Sequence, residues 1–157
     1  MKILGDEIYE ILDNATEIGK GSTRVVVKHH GRVFKIAYEG CEEENRNEVE
    51  IYSNDWYKER YKFLNKVIGY TEDYKIIEVE ELNCKWIENF YNEVKGEHPF
   101  IEELFEMMPG LKECVDFDID YLYEFIEDLE LDDLECLEPF QWGVNKDGKL
   151  RLSDYSR

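Results

Sequence analysis

The sequence predicts an α+β fold in which an antiparallel sheet with one long helix is followed by a reduced helical segment and a terminal β-hairpin. Three patterns predict it. Two runs rich in β-branched residues, 23–28 and 32–38, are separated by His29-His30-Gly31. A charged segment, 42–61, carries Val49, Tyr52 and Trp56 at helical spacing. Near the end, 142–144 and 150–152 flank the turn Asn145-Lys146-Asp147-Gly148.

In chain order, Ile3, Leu4, Ile8, Ile11 and Leu12 recur at helical intervals, so the stretch to about Asn14 is expected to be helical and to pack on the adjoining strands. A glycine-rich strand–turn–strand around Gly19 and Gly21 leads into the predicted hairpin. One amphipathic helix is then expected from Glu42 to about Tyr61. Two further strand-like runs, NKVIGYT and KIIEVEEL, are separated by Glu72-Asp73, a turn-forming pair. Residues 85–131 turn helical, with Ile119, Leu122, Ile126 and Leu129 forming one apolar seam and with breaks at Gly96-Glu97-His98-Pro99 and Pro109-Gly110. The expected division is a sheet-bearing lobe, 1–82, and a helical lobe with the terminal hairpin, 83–157, packed as one compact unit.

Composition narrows the function classes. Hydrophobic residues are 43% and aromatics 14%, too apolar for a disordered acidic tail despite a net charge of −19. That charge repels nucleic acid and anionic lipid, so direct nucleic-acid binding and membrane association are not expected. The first twenty residues contain acids where a signal peptide is basic and then apolar, and no run is long enough to span a bilayer, so a cytoplasmic location is expected. Cys41, Cys84, Cys114 and Cys136 are scattered without a CxxC pair, which predicts reduced thiols and no zinc site. His29, His30 and His98 form no metal pair. Asp116, Asp118 and Asp120 alternate without the glycine and terminal glutamate of a calcium loop, and read as acids at a helix start.

The charge is uneven. Between Ile18 and Tyr38 stand Lys20, Arg24, Lys28, Arg32 and Lys35 with no acid, whereas Phe100 to Glu138 holds fifteen acids against Lys112 alone. In the basic stretch, Gly19-Lys20-Gly21-Ser22 precedes a strand, where glycine permits close approach of backbone to phosphate. Lys35 lies in a strand between Phe34 and Ile36, so its side chain should point opposite those two. Thirteen residues on, Glu48 sits roughly 70° from the centre of the Val49/Tyr52/Trp56 face at about 100° per residue, and Glu50 roughly 130° away. Glu48 is the better candidate to look towards the sheet.

This succession resembles the amino-terminal lobe of the protein-kinase-like superfamily, in a truncated and degenerate form. There a glycine-rich loop covers ATP, a strand lysine contacts its phosphates and a helix glutamate pairs with that lysine. The resemblance implies a nucleotide site with Gly19, Gly21 and Ser22 in the loop, Arg24 in place of the third glycine and in reach of a phosphate, Lys35 as the strand lysine and Glu48 as its partner. EVEEL at 78–82 resembles the segment entering the hinge, so Glu80 and Leu82 would lie at the base. QWGVNKDGKLRLSDYS resembles the hairpin that ends in Asp-Phe-Gly, which makes Asp154 the magnesium aspartate, with Tyr155 and Ser156 after it, and sets Gln141 at the metal-binding asparagine. The implied cofactors are ATP and magnesium.

Departures from the pattern bear on mechanism. Cys136 stands where the catalytic-loop aspartate is expected, no His-Arg-Asp occurs, and only Glu135 or Glu138 offers a substitute base. With Arg157 as the last residue, the resemblance leaves no activation loop, and ordinary protein phosphorylation is not expected. The reading is therefore a kinase-like nucleotide-binding pseudoenzyme, or a regulatory or inhibitory binding protein; if it is an enzyme, it is an atypical ATP-dependent phosphotransferase. The alternative is an acidic interaction protein, a DNA mimic or inhibitor of a nucleic-acid enzyme, whose residues 100–138 engage a protein partner with a basic surface. Small acidic proteins on a borrowed fold suggest a phage or mobile-element origin.

Overall fold

The computed structural model describes residues 1–94, 100–131 and 136–155. It is α+β, with six α-helices among the described residues, a six-stranded mixed sheet and a two-stranded hairpin. The break expected at 96–99, His98, Glu135 and Ser156 lie outside the described residues. Two compact units emerge, Met1–Asp55 with Lys66–Glu81, and Trp56–Asn65 with Leu82–Tyr155.

The first unit is built on the sheet. Its strands are β1 (Lys2–Ile3), β2 (Thr16–Lys20), β3 (Arg24–His29), β4 (Arg32–Ala37), β5 (Val67–Tyr70) and β6 (Ile76–Val79), in the order β1-β5-β6-β4-β3-β2. The hairpin read in the sequence forms in register from Arg24↔Ala37 to His29↔Arg32. His30 and Gly31 close it with φ of 47° and 76°, the paired left-handed turn whose twist suits a two-residue hairpin. At the outer edge, an irregularity between Glu17 and Gly19 leaves Ile18 as an extra, exposed residue that interrupts the edge ladder.

Two expectations are corrected here. The amino-terminal stretch is not one helix: Lys2–Ile3 pairs parallel with β5, which makes the sheet mixed rather than wholly antiparallel, and helix α1 covers only Glu7–Asp13. The backbone groups of residues 2–4 are taken by the sheet, as when the Leu4 N–H donates to the Tyr70 carbonyl at 2.8 Å. The helix expected over 42–61 is likewise two, α2 (Glu43–Ser53) and α3 (Asp55–Arg60), parted at Asn54, which is extended at φ −78° and ψ 110°. Ser53, Asn54 and Asp55 are three residues whose short polar side chains compete for backbone bonds, and the Ser53 hydroxyl donates to the Val49 carbonyl. The break takes Trp56 off the α2 face; it is 55% exposed, and the buried face is Asn45, Glu48, Val49 and Ile51.

Strand alternation gives the sheet two different faces. Phe34, Val27 and Ile76 join Leu4 and Ile8 in an apolar cluster, with Ile11, Leu12, Val25 and Ile36 around it, so α1 covers this side. Burying side chains such as Phe34 and Ile8 contributes roughly 1.5–3 kcal/mol each. The opposite face carries Lys35 and meets α2.

The second unit holds α4 (Lys85–Glu93), α5 (Ile101–Met107), α6 (Ile119–Asp128) and a hairpin of β7 (Trp142–Val144) and β8 (Leu150–Leu152). Leu122, Ile126 and Leu129 of the expected seam are buried, joined by Phe125. An aromatic core fills this unit: Tyr61, Phe63, Phe125 and Trp142 are fully buried, with Tyr61 and Phe125 rings at 4.9 Å and Phe63 and Trp142 at 6.0 Å. The hairpin turn is held by Asn145, whose Oδ1 accepts from the Asp147 and Lys149 N–H groups at 3.0 and 2.9 Å. On its flanks the Asn83 N–H donates to the Val144 carbonyl at 2.8 Å, and the Leu152 N–H to that of Phe63 at 2.7 Å. Asp118 caps α6, its Oδ1 accepting from the Asp120 N–H at 2.9 Å, so the alternating acids do begin a helix.

Candidate functional site

Lys35 occupies the middle of β4, opposite Val26 on β3 and Ile77 on β6, while Gly19 of β2 lies opposite Val26. Residues directly opposed in register share a face. Gly19, Val26, Lys35 and Ile77 therefore form one cross-strand row, and Gly19 stands two strands, about 10 Å, from Lys35. The turn between β2 and β3 is tight, closed by the Gly21 N–H donating to the Arg24 carbonyl at 2.8 Å, with Ser22 exposed at its tip.

Neither loop glycine is needed by the local fold. Both lie outside the positive-φ set, and a Cβ would meet nothing nearer than 3.7 Å, from the Val26 Cβ at Gly19 and from the Arg24 carbonyl at Gly21. What the missing side chains leave is open backbone, on the Lys35 face at Gly19.

Beneath this hairpin, α2 brings a buried polar cluster to the sheet. Lys35 Nζ donates to Glu48 Oε1 and Oε2 at 3.1 and 3.0 Å, with Lys35 6% and Glu48 1% exposed. The pairing expected of the strand lysine and the helix glutamate is therefore formed, and Lys35 does point opposite the face on which Phe34 is buried.

Arg24 enters the same cluster. It is 7% exposed; Nη2 donates to Glu48 Oε1 at 2.9 Å and Nη1 to Asn45 Oδ1 at 3.1 Å, while Nε lies 3.5 Å from Glu44 Oε2. Its guanidinium, assigned by resemblance to a phosphate, is engaged with the first two turns of α2. Arg24 and Lys35 thus meet the carboxylates of Glu44 and Glu48, in keeping with the requirement that buried charges be paired and hydrogen-bonded.

Asn45 was not singled out in the sequence, yet it organises the cluster. It is fully buried, and its Nδ2 reaches the carbonyls of Lys35, Tyr74 and Lys75 at 3.3, 2.9 and 3.2 Å. The signal available was its spacing, three residues before Glu48 and so on the same helix face.

The remaining assigned residues are spread over both units. Glu80 is half-buried just past β6, its N–H donating to the Lys66 carbonyl at 2.9 Å. Leu82 belongs to the second unit, where its Cβ lies against Gly143. Gln141 ends a 3₁₀ turn, Pro139–Gln141, and its carbonyl accepts the Ser153 N–H at 2.7 Å, which brings the residue before Asp154 alongside it. Gln141 and Asp154 are both half-buried. Cys136 is 4% exposed and its carbonyl accepts from Trp142 Nε1 at 2.8 Å. None of the four cysteines is in a disulfide, and no group of three or more metal-ligating His, Cys, Asp or Glu side chains occurs among the described residues. No helix there is long and apolar enough to cross a membrane.

Several acids of the second unit are engaged within it. Asp116 binds Arg151 through both oxygens at 2.7 and 3.0 Å, and this hydrogen bonding holds its carboxyl below the usual range against the opposing effect of burial. Glu124 does the same with Arg60 at 2.7 Å, and the Tyr61 hydroxyl donates to Asp128 at 3.0 Å. No family model matches the chain, and no curated protein matches it in sequence.

Proposed function

We propose that the first unit binds the phosphates of a nucleotide on its Lys35 face, and that the protein acts as a kinase-like binding or regulatory protein without ordinary phosphotransfer. The Lys35–Glu48 pair is the observation that supports this reading most. A strand lysine and a helix glutamate, buried and bonded through both carboxylate oxygens, are what the protein-kinase-like superfamily uses to present the lysine to phosphates. The glycine loop adds to it: Gly19 shares the Lys35 face and leaves it without a side chain, which favours close approach of an anion to backbone N–H groups.

ATP with magnesium is the form the resemblance assigns. Asp154 and Gln141 offer the hard oxygen donors magnesium takes, usually one or two carboxylates with phosphates and waters completing the shell. When bound, the metal would supply charge neutralisation at the phosphates. The reading as a binding protein rests on Cys136, a buried thiol where a general base would be needed. The acidic interaction reading is supported less, since Asp116, Glu124 and Asp128 are engaged inside their own unit and are withdrawn from any imitation of a phosphate backbone.

Thermal unfolding with increasing Mg–ATP tests the proposal. Ligand at about 100 times its Kd stabilises by about 2.7 kcal/mol, a shift of several degrees for a domain of this size. Lys35→Met is expected to abolish the shift, and Asp154→Asn to remove its magnesium dependence. No shift at millimolar nucleotide, or one untouched by Lys35→Met, defeats the reading.

A further inference from the structure

We propose that Arg24 is a positioning residue that locks α2 onto the sheet, so that Glu48 keeps a cationic partner when Lys35 is drawn to a phosphate; the inference rests on the nucleotide reading for its consequence, while the lock itself is a property of the ligand-free chain. The lock spans a full turn of the helix. Arg24 addresses Glu44 with Nε, Asn45 with Nη1 and Glu48 with Nη2, and the neighbouring Thr23 hydroxyl donates to Glu44 Oε2 at 2.7 Å. A planar guanidinium presents these donors in fixed directions at once, which an ammonium does not.

The need for such a lock comes from burial. Glu48 is 1% exposed, and a buried carboxylate left without a cation is strongly unfavourable. Were Lys35 its one cation, every engagement of Lys35 with a ligand would strand Glu48 and would favour release of α2. Arg24 removes that conflict: its bond to Oε1, at 2.9 Å, does not pass through Lys35. Asn45 extends the same hold to β4, and to the turn after β5, through the Lys35, Tyr74 and Lys75 carbonyls. The position at which the kinase-like loop calls for a third glycine is thus given to a side chain that faces the helix, and α2 is held in the paired arrangement whether or not nucleotide is bound.

Hydrogen–deuterium exchange of the α2 amides in the full chain, without nucleotide, tests the lock, with Arg24→Gln, Arg24→Lys and Lys35→Met compared with the parent. Lys35→Met is expected to leave exchange within about threefold of the parent, and Arg24→Gln to accelerate it about tenfold or more, because each leaves Glu48 one cation but only the latter also removes the donors to Glu44 and Asn45. Arg24→Lys should recover part of the protection by restoring charge at Glu48, which a role limited to packing of the aliphatic stem would not require. Equal acceleration in Lys35→Met and Arg24→Gln, or no slowing in Arg24→Lys relative to Arg24→Gln, overturns the proposal. Should Arg24→Gln fail to fold, the Lys35→Met arm decides alone: protection kept supports the lock, protection lost overturns it. Failure of Mg–ATP to stabilise the parent would instead defeat the nucleotide reading and leave these exchange results standing.

Discussion

The Lys35 ammonium donates to both oxygens of the Glu48 carboxylate, at 3.1 and 3.0 Å, and so joins the middle of β4 to α2. Because Glu48 is almost fully buried and holds both Lys35 and Arg24, the carboxylate is the member whose loss costs most. Glu48→Gln leaves Arg24 and Lys35 facing a neutral amide, and removing one side of a buried pair costs about 3–5 kcal/mol. Glu44→Gln touches a side chain that is 32% exposed and 3.5 Å from Arg24, where an ion pair contributes about 0–1 kcal/mol. Urea unfolding of the two variants should therefore differ several-fold in the loss of stability; comparable losses would mean that burial does not set the worth of these contacts.

Asp116 supplies a pH dependence with a defined sign. The bond from Arg151 lowers its carboxyl in the folded chain, against an ordinary value of about 3.9 when unfolded. A depressed acid contributes stability that is fully present above the unfolded value and is lost as pH falls through the folded one. With its side chain 28% exposed, the contribution is about 0.5–1 kcal/mol. The stability gap between the parent and Asp116→Asn should be constant from pH 5 to 7 and shrink below about pH 4. A gap that widens in acid would contradict the assignment.

Two glycines separate backbone strain from crowding. At Gly31, φ is 76° and a Cβ would meet nothing within 4 Å, so Gly31→Ala should cost about 1–2 kcal/mol through the left-handed backbone alone. At Gly143 the backbone is an ordinary strand, but a Cβ would lie 2.7 Å from Cys84 Sγ and 2.8 Å from Leu82 Cβ. Gly143→Ala should cost about 1–3 kcal/mol through overpacking, part of which Cys84→Ala recovers. Denaturant midpoints of the single and double variants distinguish the causes, since Gly31→Asn, a residue that tolerates the left-handed region, should recover stability only at position 31.

Both hairpins were legible because their signals are local: alternation around His30-Gly31, and the Asn145–Gly148 turn between short apolar runs. Lys35 and Glu48 were legible for the same reason, one from strand alternation and the other from helix angle. The helix break at Asn54 was not, although Ser53-Asn54-Asp55 carries the chemistry for it, because charged residues and aromatics on both sides keep a helical period running through. The parallel strand at Lys2–Ile3 was invisible, since its partner lies about sixty-seven residues away, at Gly69 and Tyr70.

The sequence by itself determined the α+β class, the basic hairpin with its two open glycines, and the candidates Lys35 and Glu48, all of which depend on periods of two or 3.6 residues. Only the tertiary structure decided what Arg24 does. Along the chain it is a cation three residues after Gly21, turned to solvent or ligand as readily as inward. Folding sets α2 against the sheet, where the carboxylates of Glu44 and Glu48 and the amide of Asn45 converge on that guanidinium. A buried charge takes the partners that packing brings to it, and those partners lie twenty to twenty-four residues away in sequence.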